Sequence, residues 1–221
     1  MNTTRFDSNP EWVAGRITSN AKKYAISLTC LTVFWSVISV PCVYFAFKDE
    51  TWLALVFPAI GVLILLFAVH AWYHWFTFGP SEFAMDQTPA PIGGQLSGVV
   101  RLTRNLPDDY QFHLLCTRVR SSRGSKNRTG PIQEYKSAPV SVSATAGIEG
   151  TEIPIRIAIP DDAHETGRHK KDRRRSVTYT WRLIVKAKNS GFGAMYCIPV
   201  FGKATDTSTA SQSSLRPGVS V

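Results

Sequence analysis

His70 and His74 stand four residues apart in the stretch HAWYH. On a helix that spacing puts both imidazoles on one face, where they could ligate a metal or a haem. The stretch lacks the glutamate of an HExxH site, and no third ligand follows at a useful spacing. The simpler reading is a belt of histidine and aromatic side chains, with Trp72, Tyr73 and Trp75, at a membrane interface. Two carboxylate pairs, Asp108-Asp109 and Asp161-Asp162, follow Leu-Pro and Pro. General acid–base work would need them in a dry cleft with partners. They read more simply as turn residues that accept backbone hydrogen bonds. There is no GxSxG elbow. GGQLSG (93–98) lacks the spacing and following helix of a phosphate loop, and no CxxC or mixed Cys/His spacing suggests zinc. No catalytic motif and no cofactor are expected.

The most informative chemistry is cationic. RHKKDRRR (168–175) holds Arg168, Lys170, Lys171, Arg173, Arg174 and Arg175 against a single Asp172. Arg118, Arg120, Arg123, Lys126 and Arg128 form a second cluster. From residue 77 onward there are 20 Lys and Arg against 12 Asp and Glu, a net of +8. Such charge attracts nucleic acid, anionic lipid or an acidic protein. Nucleic-acid modules add exposed stacking aromatics or a recognition helix, and the aromatics here alternate along strands, so that partner is disfavoured. A lysine or arginine near an anionic leaflet contributes about 1 kcal/mol, within a Debye length of about 8 Å. The loops would therefore face lipid if they lie at the membrane-proximal end of the domain. The bland alternative is a solvated loop that keeps the domain soluble. His164 and His169, inside or beside the basic run, are expected in solvent.

The elements that position these groups divide sharply. No charged side chain occurs between Tyr24 and Phe47, and a second uncharged stretch runs from Thr51 to at least Val69. Crossing a hydrocarbon core takes about 20 apolar residues. The polar residues inside the first stretch are mostly Ser and Thr, which bond back to their own helix. Trp52, Trp72, Tyr73 and Trp75 fall at the ends, and Pro41 and Pro58 would kink the helices. The expectation is a membrane hairpin over 24–76 with a Lys48-Asp49-Glu50 turn. Lys22 and Lys23 at its start hold the N-terminus, and hence the C-terminus, on the cytoplasmic side of a bacterial inner membrane. Gly61, Ser36 and Ser39 are candidates for close helix contact. The leader, 1–23, is polar, with Trp12-Val13 able to rest on the membrane.

From Ser81 the period changes from helical to strand-like. Strands are expected at Ser81–Asp86, Gln95–Arg104 with a bulge at Gly98, through Tyr110, Phe112, Leu114 and Cys116, within Pro131–Ala144, through Ile153, Ile155, Ile157 and Ile159, from Val177 to Ala187, and over Ala194–Phe201. PAPIGG (89–94) and 189–193 read as turns. Seven short strands suggest an antiparallel β-sandwich over 80–202, and the Ser/Thr-rich tail 203–221 reads as disordered. Cys116 and Cys197 should be thiols in a reducing compartment, and a disulfide between them would need the opposite topology.

EIPIRIAIPDD, SVTYTWRLIVKA and YCIPVFG together resemble the arrestin-like sandwich. The whole chain is similar to uncharacterised bacterial membrane proteins that carry such a domain after two spans, in which GGQLSG and FHLLC have counterparts. The resemblance covers roughly 80–202 and rests on packing patterns. It implies a scaffold or adaptor, with one sandwich where arrestins have two. Three functions follow as expectations: a membrane-anchored interaction protein presenting a basic domain to a protein partner or anionic lipid; an accessory subunit of a membrane transport or envelope complex; and a haem- or metal-binding protein using His70 and His74.

Overall fold

A computed structural model describes residues 9–48, 55–122, 130–147, 150–170 and 175–203. Two long helices dominate its N-terminal third. α1 is a single turn, Pro10–Val13, capped by the Asn9 side chain on the Glu11 amide at 3.1 Å. α2 runs from Ala21 to Lys48 and α3 from Val56 to Phe78. At 1.5 Å per residue they reach about 42 Å and about 34 Å, long enough for a hydrocarbon core of about 30 Å. Only 6% and 11% of their apolar windows are buried, so neither is the core helix of the β domain.

The hydroxyls within α2 bond back to their own helix. Thr29, Thr32, Ser36 and Ser39 donate to the carbonyls of Ala25, Leu28, Thr32 and Trp35. Two tryptophans tie the helices together: Trp35 Nε1 donates to the Phe57 carbonyl and Trp72 Nε1 to Thr29 Oγ1, both at 2.8 Å. Gly61 allows this approach, since a Cβ there would stand 3.0 Å from the Trp35 ring. Ser39 joins that contact, whereas Ser36 is exposed. Pro58 lies in the first turn of α3, where no backbone donor has an intrahelical partner, so it starts the helix rather than kinking it. Pro41 is inside α2. α3 ends at Gly79, whose φ of 72° and N–H to the Trp75 carbonyl close the helix before Pro80. Trp52, Asp49 and Glu50, and with them the expected turn, lie outside the described residues.

The remainder is built from strands in two facing sheets. One has the order β1 (Arg16–Thr18), β2 (Ser81–Met85), β4 (Gln95–Leu102), β9 (Gly150–Ala158), β8 (Thr145–Gly147). The other has the order β10 (Gly167–Lys170), β11 (Arg175–Ala187), β5 (Asp109–Ser122), β6 (Ile132–Lys136). β12 (Gly193–Ile198) also pairs with β11, and β7 (Val140–Ser143) with β5. Every pairing in these two sheets is antiparallel. A small parallel pair joins β13 (Val200–Lys203) to β3 (Ala90–Ile92).

Alternation buries one face of each sheet. Phe83, Leu96, Val100, Ile153 and Ile155 meet Phe112, Leu114, Trp181, Leu183 and Tyr196 in one core. The rings of Phe83 and Tyr196 meet across it at 5.9 Å. The two strongest alternating runs in the sequence, in β9 and β11, supply much of that core.

The differences from the sequence reading are local. Gly98 makes no bulge: β4 pairs continuously on both sides, and a Cβ at 98 would run into the Ala84 carbonyl and the Phe83 ring. Pro131–Ala144 holds two strands, because Ser137 breaks the run by bonding back to Leu114 through both its amide and its hydroxyl. The PAPIGG turn contains β3, and Pro199 splits the last strand into β12 and β13. Residues 12–18 of the polar leader join the β domain: β1 pairs with β2, and Trp12 Nε1 donates to the Cys197 carbonyl at 3.2 Å. The tail beyond Lys203 lies outside the described residues.

Candidate functional site

The β5–β11 ladder organises the cationic residues. Its register runs from Arg175 opposite Ser122 at one end to Ala187 opposite Tyr110 at the other. β10 folds back on β11 with Lys170 opposite Ser176. β5 ends and β11 begins at the same end of the sheet, which brings Arg120 and Arg168, about 50 residues apart in sequence, to that end. Arg168 and Arg120 are exposed there. Lys170 and Arg175 hold strand positions at that end. Arg123, Lys126, Arg128, Lys171, Arg173 and Arg174 lie outside the described residues.

Arg118 departs from the expectation. It occupies the core-facing phase of β5, beyond Cys116, opposite Tyr179. Its guanidinium meets Glu134 of β6 at 3.1 Å, with about a quarter of each side chain exposed. Its charge is already matched within the fold. Behind the cationic end the rings of His164 and His169 lie 4.4 Å and 5.5 Å from that of Tyr179. Trp181 Nε1 donates to the His164 carbonyl at 2.8 Å. Both histidine side chains are exposed, and both also brace the β11 face.

The opposite end of the ladder meets the helices. Phe78, the last residue of α3, packs on Phe192 at 5.6 Å between ring centres, and Phe192 on Tyr110 at 6.1 Å. Ten residues separate Arg175 from Val185, about 33 Å of strand. The cationic end therefore lies at the end of the ladder opposite the helix attachment.

His70 is exposed and His74 half-buried, with the His74 ring 4.5 Å from that of Phe78. Among the described residues no third His, Cys, Asp or Glu joins them to make a group of three. Both line a cleft between α3 and the outer face of β11 and β12. Sequence reasoning missed this cleft. The available signal was Ile184 and Met195, apolar residues in the outward phase of their strands.

The carboxylate pairs act structurally. Asp108 accepts from the Asn189 amide, the Asn189 side chain, the Ser190 amide and the Asp109 amide at 2.6–3.3 Å. Desolvation pushes its carboxyl up, but these donors outweigh it and hold the group at about 2. Asp108 thus clamps the turn between β11 and β12. Asp161 is exposed in a turn against Gly93, where a side chain would strike its carboxylate. All four cysteines are free. Cys116 is buried on the core side of the sheet, while Cys197 lies in the outward phase of β12, so the two thiols leave opposite faces. Burial, helped by Glu134, pushes the Cys116 thiol up to about 12. Burial likewise lowers His113 on the outer face, and Lys136 and Lys186 add to that.

No protein-family model matches the sequence, and no curated protein matches it. Among solved structures the chain has a weak likeness to Spo0M, a sporulation control protein from Bacillus subtilis. The identity is 11% and the TM-score 0.36, over 57% of this chain and 49% of that one. The chain thus spans about half the length of that protein.

Proposed function

We propose that this chain is a membrane-anchored interaction module whose cationic end receives an acidic protein partner on the cytoplasmic side of a bacterial inner membrane. α2 and α3 cross the bilayer as a hairpin, and the arrestin-like β-sandwich stands on it as an adaptor. The observation that carries the reading is the β5–β11 register. It brings Arg120, Arg168, Lys170 and Arg175 to one end of the sheet, about 33 Å of strand from the helix attachment. That distance exceeds the Debye length of about 8 Å several-fold, which favours a protein partner over the anchoring leaflet. The exposed apolar sides of both helices support the hairpin anchor, and Lys22 and Lys23 support the inward orientation.

The test uses the full chain in discs of neutral lipid, with polyglutamate as the acidic probe. Binding should weaken steeply with added salt and fall when Arg168, Lys170, Lys171 and Arg173–Arg175 are made Gln. Salt-independent binding, or none, removes the cationic end as a docking surface. A reporter fused after Val221 should read cytoplasmic. A periplasmic reading overturns the orientation and with it the class of partner.

A further inference from the structure

Between the hairpin and the β domain lies a cleft of about 470 Å³. Ligand pockets occupy roughly 300–1,000 Å³. Its walls are apolar on both sides: Tyr24 of α2, Phe67 and Ala71 of α3, and Ile184, Ala194 and Met195 of the outer sheet. Its polar lining comes from His70, His74, Lys186, Ser19 and Asn20, and the lining contains no Asp or Glu. From Phe67 to His74 the cleft follows α3 for about 10 Å. Along α3 the lining therefore passes from Phe67 to the two imidazoles, His70 and His74 with Ala71 between them, and Lys186 of β11 is the one fixed positive charge in it. Phe67 remains 55% exposed, so the apolar end opens sideways from the hairpin.

That gradient is the profile of an amphiphile. A soluble anion has no use for the walls, and a neutral lipid leaves Lys186 without a counter-charge. We propose that the cleft holds one anionic phospholipid of the surrounding leaflet. An acyl chain lies against Phe67, Ala71 and Ile184, and the phosphate sits among Lys186, His70 and His74. Such a lipid fills the seam between anchor and domain and fixes their relative orientation. The inference rests on the proposed crossing of the bilayer by α2 and α3.

Two substitutions probe the two ends of the site. Gly193 lines the cleft opposite Lys186, and a Cβ there meets nothing within 4 Å, so Gly193→Leu fills the space without displacing a neighbour. Lys186→Gln removes the charge and keeps the walls. Lys188→Gln is the control, an exposed lysine two residues on that does not line the cleft. The delipidated full chain is reloaded from micelles holding equal phosphatidylglycerol and phosphatidylcholine, and retained lipid is counted by native mass spectrometry. One phosphatidylglycerol should be retained about fivefold or more over phosphatidylcholine. Lys186→Gln should erase the preference, Gly193→Leu should abolish retention, and Lys188→Gln should change neither.

Equal retention of the two lipids overturns the proposal, as does a Lys188→Gln effect as large as that of Lys186→Gln. Displacement by excess inorganic phosphate would also overturn it, since the site would then take a soluble anion. If Gly193→Leu lowers the unfolding midpoint, the Lys186 and Lys188 pair decides alone. Alkaline extraction of membranes separates the two levels of inference. Release of the chain defeats the membrane reading, whereas a chain that stays in the pellet without lipid preference defeats only the cleft.

Discussion

The hairpin and the β domain draw on the same apolar residue types and dispose of them in opposite directions. In α2 and α3, Phe34, Val37, Leu63, Leu66 and Val69 are all more than half exposed. In the β domain, Leu96, Leu114, Ile153 and Leu183 are at most 1% exposed. Exposing apolar area to water costs about 25 cal/mol per Å², a cost that the β domain avoids by internal packing and that the proposed bilayer crossing would relieve for the helices. The contrast teaches that the same residue types can be satisfied within the chain or left to an outside partner.

The largest effect expected from breaking that contrast is in the β core. Leu114→Ala should lose about 2–5 kcal/mol, as large-to-small core substitutions do. Leu66→Ala, on the outside of α3, should change the unfolding midpoint of the chain in detergent by less than about 0.5 kcal/mol. Equal losses would mean that the helix faces are packed rather than solvated by lipid. Next comes Gly61→Leu, which drives a side chain into the Trp35 ring. A loss of about 1–3 kcal/mol is expected, with a blue-shifted or quenched Trp35 signal against a Trp35→Phe background as the check. A smaller effect sharpens the β side: Asp108→Ala should lower the melting temperature by a few degrees. The carboxyl sits at about 2 in the fold against an ordinary 3.8. Its contribution is therefore fully present above about pH 4 and lost as pH falls through about 2. The acid limb of the melting-temperature profile should be shallower in Asp108→Ala than in the parent. Least of all should Cys116 react. With its thiol buried and pushed up to about 12, alkylation at neutral pH should spare Cys116 until the domain unfolds.

How much of this was legible follows from which interactions are local. The two long apolar helices, Ser/Thr back-bonding and the buried phases of β5, β9 and β11 are written in periodicity, since each depends on neighbours two to four residues away. The clamp by Asp108 was readable as turn chemistry, though its acceptance from Asn189 and Ser190, about 80 residues on, was not. Register was the hidden variable. Nothing local says that Arg175 stands opposite Ser122, so the convergence of Arg120, Arg168 and Arg175 on one end of the sheet emerged only in three dimensions. The same holds for Arg118, whose partner Glu134 arrives on a strand that the sequence merged with its successor. The cleft was illegible for a related reason: it needs the outward residues of one sheet and one face of α3, and each alone looks ordinary.

β1 precedes both long helices, yet its strand partner among the described residues, β2, follows them. The hairpin is thus an excursion made from within the β domain, between one strand and its neighbour. A ribosome must release more than sixty residues after Thr18 before that edge can close, so both long helices are made before the domain is complete. A fragment beginning at residue 80 would be born with a bare edge at β2, ready to capture any strand offered, and a peptide of residues 9–19 supplied separately is the natural stopper for it.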